Sequence, residues 1–200
     1  MRAALVKATL RAVAEAGPEG FTLRDVTRRA GVSPAAAYRH FQDKDELLAA
    51  VAGECADRLA QAIEASLAEA TDDPLDRFRH TGIAVVQFAA AHPEHFRALY
   101  VPGMAERMPA DQRARRDAWN REQRRELAEA QAAGIIADMP LDDLILAASA
   151  LVHGLCHMIV EGLLGDVDAA RAKQLAIAVT GAIGAGFVPR ERKPADRLKR

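Results

Sequence analysis

The chain has 200 residues, enough for one or two domains with a real core. Half of them are hydrophobic, 28% are charged and only 4% are aromatic. With alanine abundant, a strong helix former and a poor strand former, this balance favours an all-α fold. No run approaches the roughly 18 consecutive apolar residues of a membrane span. Arg2, Lys7, Arg11 and Glu15 interrupt the stretch where a secretory signal would be apolar. Both features count against a membrane or exported protein, and a cytoplasmic location is expected. Cys55 and Cys156 stand alone, without a disulfide framework or a CxxC metal site.

The formal net charge is −1, but it is unevenly spread. Residues 1–48 carry eight Lys/Arg against six Asp/Glu, and residues 188–200 carry six against two. The stretch between is acidic. Basic ends on an acidic body are compatible with end-on docking to nucleic acid.

In chain order, Ala4, Leu5, Ala8, Ala12, Val13 and Ala16 recur at helical spacing, and Gly17, Pro18 and Gly20 end that first helix. Thr22 is placed to cap a second helix, Leu23 to Ala30, with Asp25 where a capping-box acid belongs. Gly31 suits its left-handed C-terminal position. Ser33 and Pro34 then read as N-cap and first residue of a short third helix, Pro34 to Phe41. Asp43 caps a longer fourth helix, broken at Asp72-Asp73-Pro74. A fifth runs over about 75–91, and a short segment with Phe96, Leu99 and Tyr100 follows His92-Pro93. Pro102, Gly103 and Pro109 bound a loop before a highly charged helix over 110–133. Two apolar helices, about 141–164 and 167–187, close the body. About nine helices are expected in all: a helix-turn-helix domain over 1–48, a helical bundle over 49–188, and a basic tail over 189–200 expected to be disordered.

The most specific pattern lies between Thr22 and Lys44. Two short helices joined by Gly31-Val32-Ser33 describe a helix-turn-helix, with Val26, Ala30, Val32, Ala37 and Phe41 as its small core. The start of the second helix then projects outward, where a DNA-binding version would enter the major groove. The run FTLRDVTRRAGVSPAAAYRHFQDKDELL, residues 21–48, resembles the DNA-binding domain of the tetracycline-repressor (TetR) family, above all in Tyr38-Arg39-His40-Phe41, Lys44 and Leu47-Leu48.

That resemblance implies a homodimer with an N-terminal reading head, a helical C-terminal domain that binds a small-molecule inducer, and operator DNA as the partner. Residue by residue, it implies that Thr22 meets a phosphate and that Arg24 reaches a base edge. Ser33, Ala35 and Ala36 occupy the groove-facing start of the recognition helix. Tyr38, His40 and Lys44 clamp phosphates, with Arg28 and Arg39 as further contacts. An arginine can read guanine through two hydrogen bonds, whereas alanine senses only thymine methyls, so direct reading through Ala35 and Ala36 would be thin. Phosphate contacts set register without encoding sequence.

In the body, the last two helices are apolar over more than one face, and Gly154, Gly162, Gly181, Gly184 and Gly186 would let helices approach closely. A four-helix dimer interface is expected, with Leu151, Leu155, Met158, Leu175, Val179 and Ile183 as its apolar contacts. A monomer burying these helices internally is the alternative. Phe88, Phe96, Tyr100, Met104, Trp119, His153 and His157 are candidates to line an effector cavity, which apolar walls would suit to a hydrophobic or amphipathic molecule.

His153, Cys156 and His157 share a helical face, but no fourth ligand accompanies them, and a packed polar cluster is expected rather than a metal site. The His153–His157 spacing matches a zinc peptidase, yet Gly154 stands where its glutamate should be. His92 and His95 flank Pro93 and are expected to cap helices. The arginines from Arg113 to Arg125 are expected to form a solvated ion-pair face. An enzyme built in the helical bundle would need a phosphate loop, a nucleophile elbow or paired Glu-x-x-His motifs, and none is found. Neither cofactor nor catalytic residue is expected.

Overall fold

In the computed structural model, residues 1–187 are described, and all regular structure among them is helical. The expected tail, 189–200, lies outside the described residues. Ten helices follow in order: α1 Arg2–Ala16, α2 Leu23–Ala30, α3 Pro34–Ala37, α4 Lys44–Leu67, α5 Pro74–Ala91, α6 Pro93–Tyr100, α7 Met104–Arg107, α8 Ala110–Ala132, α9 Leu141–Val160 and α10 Ala169–Phe187. The addition to the expected set is α7, a single turn inside the proline- and glycine-bounded loop. Met104 nucleates it by burying its side chain at 1% exposure. The third helix is shorter than expected: regular structure stops at Ala37, and His40 and Phe41 donate their amides to Ala37 O in a closing turn. The ninth ends at Val160 because Gly162 turns left-handed at φ 71°.

Caps account for the head. The Thr22 hydroxyl accepts from the Asp25 amide at 3.2 Å while the Asp25 carboxylate accepts from the Thr22 amide at 3.0 Å, a complete capping box. Ser33 caps α3 through the Ala36 amide at 3.2 Å, and Asp43 caps α4 through the Glu46 amide at 2.8 Å. Gly31 takes φ 67°, which a β-carbon would strain, so α2 stops there and α3 sets off at a new angle.

Beneath these helices Leu5, Leu10, Val13, Val26, Ala37, Phe41, Leu47 and Leu48 form one core. It does not stop at residue 48. Val51, Ala52 and Cys55 of α4 join it, as do Ala98 of α6, Met104 of α7 and Met108. The head is therefore seated on α6 and α7 as well as carried by α4.

The body is organised around α5, which packs against α4, α6, α8, α9 and α10. Ile83, Val86, Phe88, Val152, Leu155, Cys156 and Ala176 make one core there, and Leu127, Ile136, Leu144 and Ala148 a second. Gly82 permits the crossing: a β-carbon at this position would stand 3.0 Å from the Thr180 methyl and 3.2 Å from a Val152 methyl. The ion pairs expected on α8 are present in Arg116–Asp117 at 3.2 Å and Arg125–Glu129 at 3.5 Å, and others tie α8 to its neighbours, Arg115 to Asp57 of α4 at 3.0 Å and Arg77 of α5 to Glu126 at 3.6 Å.

Candidate nucleic-acid interface and cavity

At the tip of the head, Ser33, Ala35, Tyr38, Arg39 and His40 are exposed on α3 and its closing turn, and Arg24 and Arg28 are exposed beside them on α2. Tyr38 is 58% exposed, a large aromatic face with no place in the core. Ala36 departs from expectation. It is buried at 5% exposure, like Ala37 beside it, so it supports the helix rather than facing a groove. Thr22 also differs in detail. Its amide and hydroxyl are both engaged by Asp25, which holds the Asp25 carboxyl below its usual pKa. An anion at the start of α2 would thus share the site with a resident carboxylate.

Lys44 is half-buried. Its ammonium lies 3.7 Å from Glu19 and 4.7 Å from the centre of the Phe21 ring. Glu19 is also bound by Arg107 of α7 at 2.8 Å, and Arg107 stands 3.6 Å from Asp45. Neither Glu19 nor Arg107 stood out in the sequence, since their 88-residue separation carries no local signal. Arg11 of α1 likewise reaches Glu94 of α6 at 3.4 Å. These pairs tie the head to the body. His95, expected in a capping role, instead lies 3.5 Å from Glu54 of α4, and burial lowers its pKa. His92 does stand at the cap between α5 and α6: its amide donates to Phe88 O at 2.8 Å, without a side-chain cap bond, and its ring lies tilted to Phe88 and edge-on to His95.

Between α5, α8, α9 and α10, with Leu59 and Ile63 of α4 and the end of α6 also on its wall, lies a cavity of about 600 Å³. Tyr100, Trp119 and His153 of the candidate set line it, together with Phe78, Val85, Ile145 and Val152. Phe96 and Met104 do not: both are packed in cores at 0% and 1% exposure. Phe88 belongs to a separate, more polar groove of about 540 Å³ beside α4, where Arg58 and Lys173 are already paired with Glu54 and Glu69. His157 is exposed on α9 and meets Phe96 edge-on at 5.5 Å. Cys156, one residue away, is fully buried, and burial pushes its thiol pKa up to about 12. His153, Cys156 and His157 therefore occupy three different surroundings. The additional cavity residues escaped the sequence reading because aliphatic side chains lining a void are spaced like those filling a core.

The two closing helices keep part of their apolar surface uncovered. Leu151 is 54% exposed, Met158 41% and Ile177 42%, and the open positions Gly154 and Gly181 lie among them. Leu155, in contrast, is buried in the chain's own core at 7%, and Leu175, Val179 and Ile183 pack half-buried against it. The expected interface thus divides into an outward set and an inward one. Helix α9 is long and apolar enough to cross a membrane by length and composition, with 28% of its apolar window buried.

Comparison with known proteins follows this division of the molecule. Residues 5–51 match the profile of bacterial regulatory proteins of the tetR family, and residues 78–182 match that of the tetracyclin repressor-like C-terminal domain. The HTH-type transcriptional regulator BetI of Burkholderia thailandensis is 41% identical over 78 residues, 39% of this chain and 40% of that protein. The chain thus spans about two-fifths of the length of the curated relatives it matches. A TetR family transcription regulator from Marinobacter aquaeolei VT8 superposes with a TM-score of 0.74 at 21% identity, covering 94% of this chain and 96% of the other. A Rhodococcus sp. RHA1 protein of unknown function gives 0.68 at 29% identity, covering 94% and 95%.

Proposed function

The chain belongs to the tetR family of bacterial regulatory proteins, and from that premise we propose that it is a homodimeric repressor released from operator DNA by a small-molecule effector. It is a DNA-binding transcriptional regulator and not an enzyme. The observation that carries the DNA-binding face is the exposed cluster Arg24, Arg28, Ser33, Ala35, Tyr38, Arg39 and His40 around the start of α3. Arg24 is the candidate base reader; Thr22, Tyr38, His40 and Lys44 are the candidate phosphate contacts, with Arg28 and Arg39 alongside. Such a protein acts where the chromosome is, in the cytoplasm.

Dimerisation is supported by the outward apolar set on α9 and α10. A solvent-exposed strip holding Leu151, Met158 and Ile177 favours cover by another protein surface. A second copy is the fitting partner: two heads would then meet two half-sites at a fixed spacing. Asp142, Asp143, Ser149, His153 and His157 along α9 argue against lipid as the cover.

The apolar cavity is the candidate effector site, being of a size that small-molecule sites commonly have. Tyr100 at its wall is the last residue of α6, and α6 packs on both α1 and α4. An effector that prefers a shifted α6 would move the head through Arg11–Glu94 and along α4, the lever from Lys44 to Leu67. It can shift the dimer only by as much as it favours that arrangement over the operator-bound one. The test is titration against the DNA upstream of the protein's own gene, with random DNA as control, at two salt concentrations. A clear preference for the upstream DNA is expected; equal binding to both at every salt concentration would count against a local operator.

A further inference from the structure

The chemistry of the cavity narrows what it holds. Its charged neighbours are already paired. The Asp76 carboxylate accepts from the Thr71 amide at 2.8 Å and from Arg79 at 2.7 and 3.1 Å. Asp73 caps α5 through the Leu75 amide at 3.0 Å, and Arg116 pairs with Asp117 at 3.2 Å. Two of the neutral polar groups are also spent: Thr180 donates to Ala176 O at 2.7 Å, and Gln123 donates to the Thr81 hydroxyl at 2.7 Å.

The Tyr100–His153 end is different. The two rings meet edge-on with centroids 4.6 Å apart. His153 Nδ1 lies 2.8 Å from Ser149 O, and a carbonyl can only accept, so Nδ1 carries the proton. In the neutral ring the lone pair is then on Nε2, an acceptor without a partner among the described residues. The Tyr100 hydroxyl likewise has none among them. Tyr100 is 40% exposed and lines the cavity, and burial raises its pKa to about 12, so its hydroxyl stays protonated.

We propose that the effector is a neutral, mainly apolar alcohol or phenol whose hydroxyl accepts from Tyr100 and donates to His153 Nε2. This rests on the reading of the cavity as the effector site. A hydroxyl satisfies both groups at once, a ketone only Tyr100, and a hydrocarbon neither. An ionised carboxylate would have to enter an apolar cavity whose cations are already paired, at a desolvation cost nothing there offsets.

The test uses the full-length protein with Nile red as reporter, displaced by 1-decanol, 2-decanone, decane or decanoate at neutral pH. Decanol is expected to displace best and decanoate worst. Tyr100→Phe and His153→Phe should each weaken decanol by about five- to tenfold, the worth of one hydrogen bond, and leave decane unchanged. Decanoate equal to or better than decanol, or variants that leave the decanol-to-decane ratio unaltered, would overturn the proposal. Cavity filling separates the two levels. Ala148→Phe and Ser149→Phe, each checked for a native helical spectrum, should abolish Nile red binding. If native protein binds no Nile red, or both filled variants bind it normally, the cavity reading itself fails, and the alcohol proposal with it.

Discussion

The head and the body of this molecule are stabilised by the same helices-on-helices packing, yet they leave different things unfinished. The head is locally complete although its core runs on into α4, α6 and α7: its helix starts from α2 to α4 are capped by side chains, and polar residues dominate what it exposes. The body is left open. Prolines precede α8 and α9 without any side-chain cap bond, a cavity of about 600 Å³ opens among its helices, and large apolar side chains of α9 and α10 are left exposed. A head that must present one rigid surface to DNA is served by local completeness. On the proposed function, a body that meets a second copy and an effector keeps surfaces that are satisfied only when these arrive.

This contrast is open to experiment, and the largest effect should come from the outward apolar face. Leu151→Glu with Met158→Glu should convert a dimer into a monomer in sedimentation. Operator affinity should fall about 10²–10⁴-fold through loss of bivalency, while the melting of the isolated head signal stays unchanged. A variant that remains dimeric would remove this face from the interface. Next in size is Phe41→Ala, which empties the head's core and should cost about 3–5 kcal/mol in denaturant unfolding. DNA binding should be lost and the dimer retained; loss of both together would show the two regions unfolding as one.

Lys44→Ala should reduce the slope of log K against log salt by about 0.9, the release of one counterion. An unchanged slope would leave Lys44 to its pair with Glu19. Thr22→Ala removes one half of a capping box and should cost the head about 1 kcal/mol with no effect on the dimer. The smallest effect concerns the body's Asp76. The Thr71 amide and Arg79 hold its pKa at about 2, and His80 lies 3.9 Å away. Because the folded value is depressed, its contribution is complete above the unfolded carboxylate range, near 4, and is lost as pH falls towards 2. The stability difference between native protein and Asp76→Asn should shrink through that interval, as followed by acid titration of helix content; a constant difference would separate Asp76 from the acid response.

The legibility of the sequence follows the same division. Thr22, Gly31, Ser33-Pro34 and Asp43 mark helix ends by chemistry that acts over three or four residues, so α2 and the starts of α3 and α4 are readable directly. Ala36 was not: a four-residue helix shows no full period, and which alanine turns inward depends on how α3 crosses α2. In the body, Tyr100, Trp119 and His153 were legible as cavity residues because aromatic and polar groups stand out in an alanine-rich chain. Phe96 and Met104 carry the same composition signal and turned out to be core.

Hydrophobic periodicity and capping chemistry thus determined the all-α class, most helix boundaries and the helix-turn-helix, since each depends on neighbours a turn away. Tertiary structure alone decided that Leu151 stays uncovered while Leu155, one turn on along the same side of α9, is buried. It also brought Glu19 to Arg107 across 88 positions and left Tyr100 beside His153 at the wall of a void. Packing is a relation between distant segments, and a residue's apolarity states that it must be covered without stating by what.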